Sequence, residues 1–484
     1  NLYDEQLWEK ERSNAFRCAD LECRGLYLNA LHDMAFTQIK QLIQRAKNIN
    51  EKITTFSLLK DICVTSGKHF NQLQEFGNTL LDEFGLSIPS SNKDLEASLK
   101  QFDYEIYNSP LASSVSDIVN LPVLKALKRK RIASLLVYYW EVAYYLTDIS
   151  LMRWAYLNII NTSFKYGNSN ESSFGYVLYG AQLASQKEFK RSAEFGEAAL
   201  RLNHIFNDKK MLPKVHNFVA NFINPYTRPL SSNVNLYQKS LYQSKLNADI
   251  VFGTWANFLM HLSDFLSGTN LDSLRESITR ESHFIKNSGD TKMIAIFNAL
   301  VHSLDTLQGI CNDTAETEAD SLLLWETEKF YPALAWYGIL KAQECLLNGQ
   351  SEKGLKYLHT HVNTTASEVI MFPKIRLHFV RAMLLLGKKS ALNEEEQELL
   401  AADLQEYTTY SKASSATFKF ERLLLKADTT KDSALHWDVA KDYDICLQYA
   451  RDLKNDFYIS LAALSAGRFF NEIGFKDIAK SYLY

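Results

Sequence analysis

An all-α chain, built as an α-solenoid of antiparallel helix pairs, is the fold this sequence predicts, on three observations. Gly (18) and Pro (8) are scarce over 484 residues, too few turn formers for a large sheet protein, whereas helix-to-helix connections need few. Apolar residues make up 46% of the chain, with 28 Phe and 25 Tyr, so there is ample surface to bury and no compositional sign of disorder. Helix-turn-helix rhythms return along the chain, and each such unit is too small to bury its apolar face without neighbours.

The first return is early. "HDMAFTQIKQLIQRA" from His32 overlays "SGKHFNQLQEFGNTL" from Ser66 at a shift of 34, setting Phe36 on Phe70, Gln38 on Gln72, Ile39 on Leu73 and Leu42 on Phe76. Thirty-four is the tetratricopeptide (TPR) period, which predicts a TPR-like superhelix. Residues 1–90 read as N-terminal TPR-like repeats, 91–165 as an irregular helical insert packed on the array, and 166–484 as further repeats with the last one truncated. Within the insert, "IASLLVYYWEVAYYLTDISLMRWAYLNII" carries Glu141, Asp148 and Arg153 too closely spaced for a membrane span, so it predicts two buried helices.

"YVLYGAQLASQKEFKRSAEFGEAAL" supplies a looser copy, with Tyr176, Tyr179, Gly180, Phe189 and Ala199 at repeat positions. The closing "GRFFNEIGFKDIAKSYLY" fits best: Gly467 where two helices cross, Phe470 one turn on, Gly474 in the turn, Ala479 and Leu483 returning. "KDYDICLQYARDL" aligns with its second half at a shift of 35. Pro, Ser and Asn clusters predict loops at 87–94, 108–122, 224–233 and 311–321, the last acidic and mobile.

With 53 basic against 56 acidic residues the net charge is −3, which gives no field for nucleic acid or an anionic membrane, and neither is expected as a partner. Six scattered cysteines predict reduced thiols and a cytoplasmic location rather than a disulfide framework. The N-terminus is charged and begins without Met, so the chain reads as a piece of a longer protein.

Motifs that carry chemistry are missing. Gly67-Lys68-His69 and Gly387-Lys388-Lys389-Ser390 lack the first glycine of a P-loop, with Ile62 and Ala382 in its place. The kinase motifs are absent, and Gly167-Asn168-Ser169-Asn170-Glu171 ends in the wrong residue for a nucleophile elbow. His359 and His361 point about 200° apart on a helix, and Cys18 and Cys23 have no companion ligands. Lys125, Lys128, Arg129, Lys130 and Arg131 read as a solvated basic face, and "LNEEEQELLAADLQE" as its acidic counterpart, with Leu399, Leu400 and Leu404 facing inward. No catalytic, cofactor-binding or metal residue is expected, and the chain does not read as an enzyme. Tyr176, Tyr179, Trp255, Asn257, Trp336 and Tyr337 fall on the first helices of repeats. There they predict either the lining of a concave groove for a peptide or small ligand, or packing between repeats.

Tyr166-Gly167-Asn168-Ser169 followed by Ser173-Phe174-Gly175-Tyr176 resembles the TPR-like helical-repeat region of large multidomain signalling proteins. Those join a serine/threonine kinase domain, a predicted signal-transduction ATPase, this region, and often a GAF domain and a sensor histidine kinase. The order of "GLSIPSS", Leu121-Pro122, Asn224-Pro225-Tyr226 and the closing repeat at Gly467 and Ala479 agrees with it. "VLKALKRKR" after Pro122 departs from the acidic, proline-containing turn of such proteins. The resemblance implies a non-catalytic regulatory and protein-interaction region that receives a protein, peptide or small-molecule signal and relays it to flanking catalytic domains. A free-standing TPR-type adaptor or effector is the alternative, and an enzyme with an unrecognised site a third.

Overall fold

The computed structural model describes residues 5–310, 315–362, 371–388, 391–431 and 434–483. Helix occupies most of them, with no strand among the described residues, and consecutive helices pack in pairs.

One backbone turn recurs. Among the described residues, helices Arg12–Leu28, Leu127–Tyr145, Ser172–Ser185, Ala315–Thr327, Tyr331–Leu347, His436–Asp452 and Asp456–Glu472 each meet the next helix through three residues. The middle one is left-handed in every case: Ala30, Thr147, Lys187, Lys329, Gly349, Lys454 and Gly474. The residue after it donates its N–H to the carbonyl five back, as Asp148 does to Ala143 (2.9 Å) and Phe475 to Phe470 (2.8 Å). This is the Schellman closure, which satisfies carbonyls left over at a helix end. So short a connection forces the second helix back along the first. Only Gly349 and Gly474 of the seven are glycines, so most of the turns carry no glycine for a sequence scan to find.

The 34-residue overlay is corrected. Helices His32–Arg45 and Phe70–Glu83 begin 38 residues apart, so that overlay slips by about one helical turn. At the true offset Ala35, Ile39 and Leu42 meet Leu73, Gly77 and Leu80, all buried. Helices His436–Asp452 and Lys476–Leu483 begin 40 apart, against the shift of 35. Helices of 14 to 19 residues, as in His32–Arg45 and Leu127–Tyr145, lengthen each unit. In the closing unit an added Cβ at Gly467 would lie 3.0 Å from Leu483 Cγ, and Ala479 is buried against the same crossing.

The acidic stretch 311–321 is also corrected. Residues 311–314 lie outside the described residues, and helix Ala315–Thr327 starts directly after them. Glu316 and Glu318 fall in its first turn, where the helix dipole favours carboxylates. The expected loop at 224–233 is a run of tight turns, a π-helical Val219–Ile223 followed by 3-10 turns Asn224–Tyr226 and Leu230–Asn233. The two apolar helices expected from Ile132 onward are Leu127–Tyr145 and Ile149–Tyr166.

By packing, the chain forms two units. One comprises Asn1–Val219, Tyr237–Asn257 and His283–Thr291, the other Ala220–Leu236, Phe258–Ser282 and Lys292–Tyr484. In the first, Trp140 stacks on Tyr144 and meets Phe174 and Phe218 edge-on. The "YGNS" segment is a clasp in this unit. Gly167 sits at φ +100°, and a Cβ there would lie 2.0 Å from the Pro122 carbonyl. Asn168 donates its N–H to that carbonyl (2.7 Å) and accepts the Leu124 N–H on its own (2.8 Å). Its side chain donates to the Ile118 carbonyl and accepts from the Tyr176 hydroxyl, both at 2.7 Å. In the second unit, Tyr407, Tyr410 and Phe418 form a mutual aromatic cluster.

Candidate functional site

Of the six residues expected either to line a groove or to pack between repeats, five are buried and Trp255 is half-buried. Tyr176 is 0% exposed and Tyr179 is buried beside it, both on Phe195. Trp255 is half-buried with its indole N–H donated to the Tyr145 hydroxyl (3.3 Å), and Asn257 is buried. In the second unit Trp336 and Tyr337 are buried, the latter against Trp325, Tyr357 and His361. The rings of Tyr176, Tyr179, Trp336 and Tyr337, so enclosed, are packing residues as placed. Tyr176 with Tyr179, and Trp336 with Tyr337, are brought together; the set as a whole is not. His361 packs on Tyr337 and Tyr357, and among the described residues no cluster of His, Cys, Asp or Glu is arranged to hold a metal ion.

Three clusters of buried ionisable groups emerge instead, none of them predicted. In the first unit, Glu141 lies between two lysines: Lys60 bonds one carboxylate oxygen and Lys214 the other (2.7 Å). Lys60 also reaches Asp61 at 2.5 Å, and Lys214 has Asp249 at 3.9 Å. Burial acts against the charge of Glu141, yet the two ammonium groups outweigh it and hold the carboxyl below its ordinary range.

In the second unit, His378 Nδ1 lies 2.6 Å from Asp403 Oδ1, and Arg381 donates to both oxygens of Asp403 (2.7 and 2.9 Å). A carboxylate orienting an imidazole is half of a catalytic triad. Here, however, His378 Nε2 is buried without a partner, so no hydroxyl or thiol is placed for it to activate. Asp403 belongs to the acidic stretch expected to face solvent. It is fully buried with Tyr407 and Tyr410, while Leu399, Leu400 and Leu404 are only half-buried.

The third cluster borders a cavity of about 260 Å³ in the second unit. One wall is the tight-turn segment carrying Pro225, Pro229 and Leu230. Asn224 Nδ2 donates to Asn233 Oδ1 (2.9 Å) and Asn233 Nδ2 to the Ala220 carbonyl (2.8 Å), which fixes that segment. A second wall is the turn at Gly268, whose φ of +69° and missing Cβ let Asn455 Oδ1 approach; a Cβ there would lie 2.0 Å from it. Asn455 in turn caps helix Asp456–Glu472 by accepting the Tyr458 N–H (2.8 Å). Arg376, Tyr407, Glu421 and Tyr458, each from a different helix, complete the lining.

Arg376 is 6% exposed. It donates one hydrogen bond, to the Leu266 carbonyl (3.1 Å), and lies over the Phe379 and Phe457 rings. Its Nε is buried without an acceptor, and among the described residues it makes no ion pair. Glu421 is 7% exposed; one oxygen accepts the Tyr458 hydroxyl and the other is buried without a donor. Burial pushes the Glu421 carboxyl up, with the Tyr458 bond and the Arg376 charge only partly opposing it. No His or Cys is among the residues lining the cavity.

A sequence signal for these residues exists. Arg376 shares a helical stripe with Phe379, Val380 and Met383, and a charge on an apolar stripe needs a partner. Lys60 in "FSLLKDICV" and Glu141 in "LVYYWEVAYY" carry the same mark.

Comparison with protein-family models, with curated proteins and with solved structures returned no match. Among the described residues no helix is long and apolar enough to cross a membrane.

Proposed function

We propose that this chain is a non-catalytic sensing and interaction module, a TPR-like α-solenoid that relays a small-molecule or protein signal to kinase and ATPase domains of a larger signalling protein. The observation that carries the reading is a cavity in the second unit walled by several separate helices. Arg376, Tyr407, Glu421 and Tyr458, each from a different helix, border that cavity of about 260 Å³. A concave space with a mostly apolar lining and a few polar groups is the usual form of a ligand site. The recurring Schellman hairpins support the architectural half, with units longer than the tetratricopeptide period. Because each hairpin of a solenoid touches only its neighbours, a ligand wedged between helices alters how they stack, and the change reaches the flanking domains.

The test is made on the whole gene product. Its reading frame is expected to encode kinase or ATPase segments outside residues 1–484. Deleting these residues is expected to change phosphotransfer or ATP hydrolysis while the catalytic domains stay competent. A frame without such domains, or an output indifferent to the deletion, defeats the proposal.

A further inference from the structure

We infer that Val123, Lys125, Leu127, Lys128 and Arg129, beside Tyr166, form a docking surface for an anionic lipid bilayer. The surface lies wholly in the first unit and owes nothing to the cavity of the second.

Lys125, Lys128 and Arg129 are exposed, with Lys130 and Arg131 half-buried behind them. Among the described residues none of the three has a carboxylate oxygen within 4.0 Å. Carboxylates of adjoining segments are engaged elsewhere: Glu105 with Lys165 (3.3 Å), and Glu171 with Ser134 and Ser169. Apolar side chains stand among these cations rather than beneath them, since Leu127 is 61% exposed, Val123 54% and Tyr166 47%. Arg129 lies over the Tyr166 ring at 3.6 Å, which joins the two segments into one face. Helix Leu127–Tyr145 has no acidic residue in its first turn and no side-chain cap from Ala126. Ile49–Ser66, Asn92–Tyr107 and Glu394–Ala413 place Glu51, Asp94 and Glu394 there, the sign that a helix dipole favours. The reversed sign at Lys128 and Arg129 does nothing for the helix.

The clasp at Asn168 fixes how the face is presented. Val123 pairs with Asn168 in a single parallel bridge, and Leu124 after it is 2% exposed. Val123 and Lys125, two apart on extended backbone, therefore share the outward side. Cations alone would suit any polyanion, so the apolar side chains decide the occupant. In a bilayer, ammonium and guanidinium groups meet the anionic headgroups while Leu127 and Val123 enter the boundary with the acyl chains. A nucleic acid offers no such apolar layer, and an acidic peptide would need a concave wall, whereas these side chains stand half exposed or more. The net charge of −3 hides the patch, because it averages these cations with acidic runs such as Glu394, Glu395 and Glu396. Each cation held near an anionic leaflet strengthens binding about fivefold.

The test is co-sedimentation of the full chain with vesicles of phosphatidylcholine alone or with about 30% phosphatidylserine. Binding to the anionic vesicles is expected to be at least about tenfold the stronger, and to vanish at about 0.5 M salt. Lys125→Gln combined with Lys128→Gln should weaken it about 25-fold. Lys209→Gln combined with Lys210→Gln, an exposed pair elsewhere in the same unit, should change it less than about twofold. Leu127→Ser, at unaltered charge, should weaken it about threefold or more. All five positions are exposed, so each variant is expected to keep the helical circular dichroism of the unaltered chain. Equal binding to the two vesicles, an equal loss from both lysine pairs, indifference to Leu127→Ser, or no sedimentation overturns the inference. Polyglutamate that strips the chain from vesicles at matched charge also overturns it, and assigns the patch to an acidic protein segment.

Discussion

Glu141 and Arg376 are both nearly inaccessible to water, and they are treated in opposite ways. Glu141 holds an ammonium on each oxygen, with Asp61 and Asp249 balancing the lysines beyond. Arg376 has one carbonyl, two phenyl faces and a cavity. A buried charge with its full set of partners is inert, and its removal strands the partners. A buried charge with fewer partners leaves less behind when it is removed. Burial alone separates neither case from the other; the ion pairs around each charge do.

Four substitutions probe that contrast. Glu141→Gln removes the buried carboxylate that Lys60 and Lys214 share, and a loss of about 3–5 kcal/mol is expected in denaturant unfolding. A loss under about 1 kcal/mol would mean that Asp61 and Asp249 suffice. Gly167→Ala comes next. A Cβ 2.0 Å from the Pro122 carbonyl must break the clasp, for about 2–4 kcal/mol by thermal unfolding; an unchanged midpoint would show that the 118–124 segment moves freely.

Asp264→Asn tests a carboxyl shifted by burial alone. Burial pushes the Asp264 carboxyl from 3.8 to about 6, so the folded chain holds a proton that the unfolded chain releases. Stability should then fall as pH rises from about 4 to about 6, and the substitution should flatten that slope. The difference at neutral pH is about 1–2 kcal/mol once partial solvent access is discounted. Arg376→Gln is expected to shift stability by less than about 1 kcal/mol, since desolvating the charge and its few contacts nearly cancel. A loss near that of Glu141→Gln would erase the distinction between the two sites.

Helices were legible because their stripes are strong: "IASLLVYYWEVAYYL" has no alternative to burial as a helix. The unit length was not, because the overlay followed Phe36 and Phe70, whereas the core register runs through Ile39 and Gly77, a glycine that no hydrophobic match would pair with isoleucine. The turns were hidden for a related reason. Lys187 and Lys454 take the left-handed conformation that a search assigns to glycine. Tyr176 and Trp336 looked like recognition residues by type, but aromatic surface serves packing equally well, and only their neighbours tell which. The cavity was least legible of all: its walls come from residues as far apart in sequence as Pro225 and Tyr458.

The division of the chain has a consequence for its biogenesis. The unit that begins at the N-terminus also owns Tyr237–Asn257 and His283–Thr291, with stretches of the other unit threaded between them. On a ribosome it must therefore wait, incomplete, until residue 291 has left the exit tunnel, and by then parts of its companion are already outside. A truncation at 219 would omit two of its own segments. Cutting this protein into separately expressible halves should fail wherever the single cut is placed.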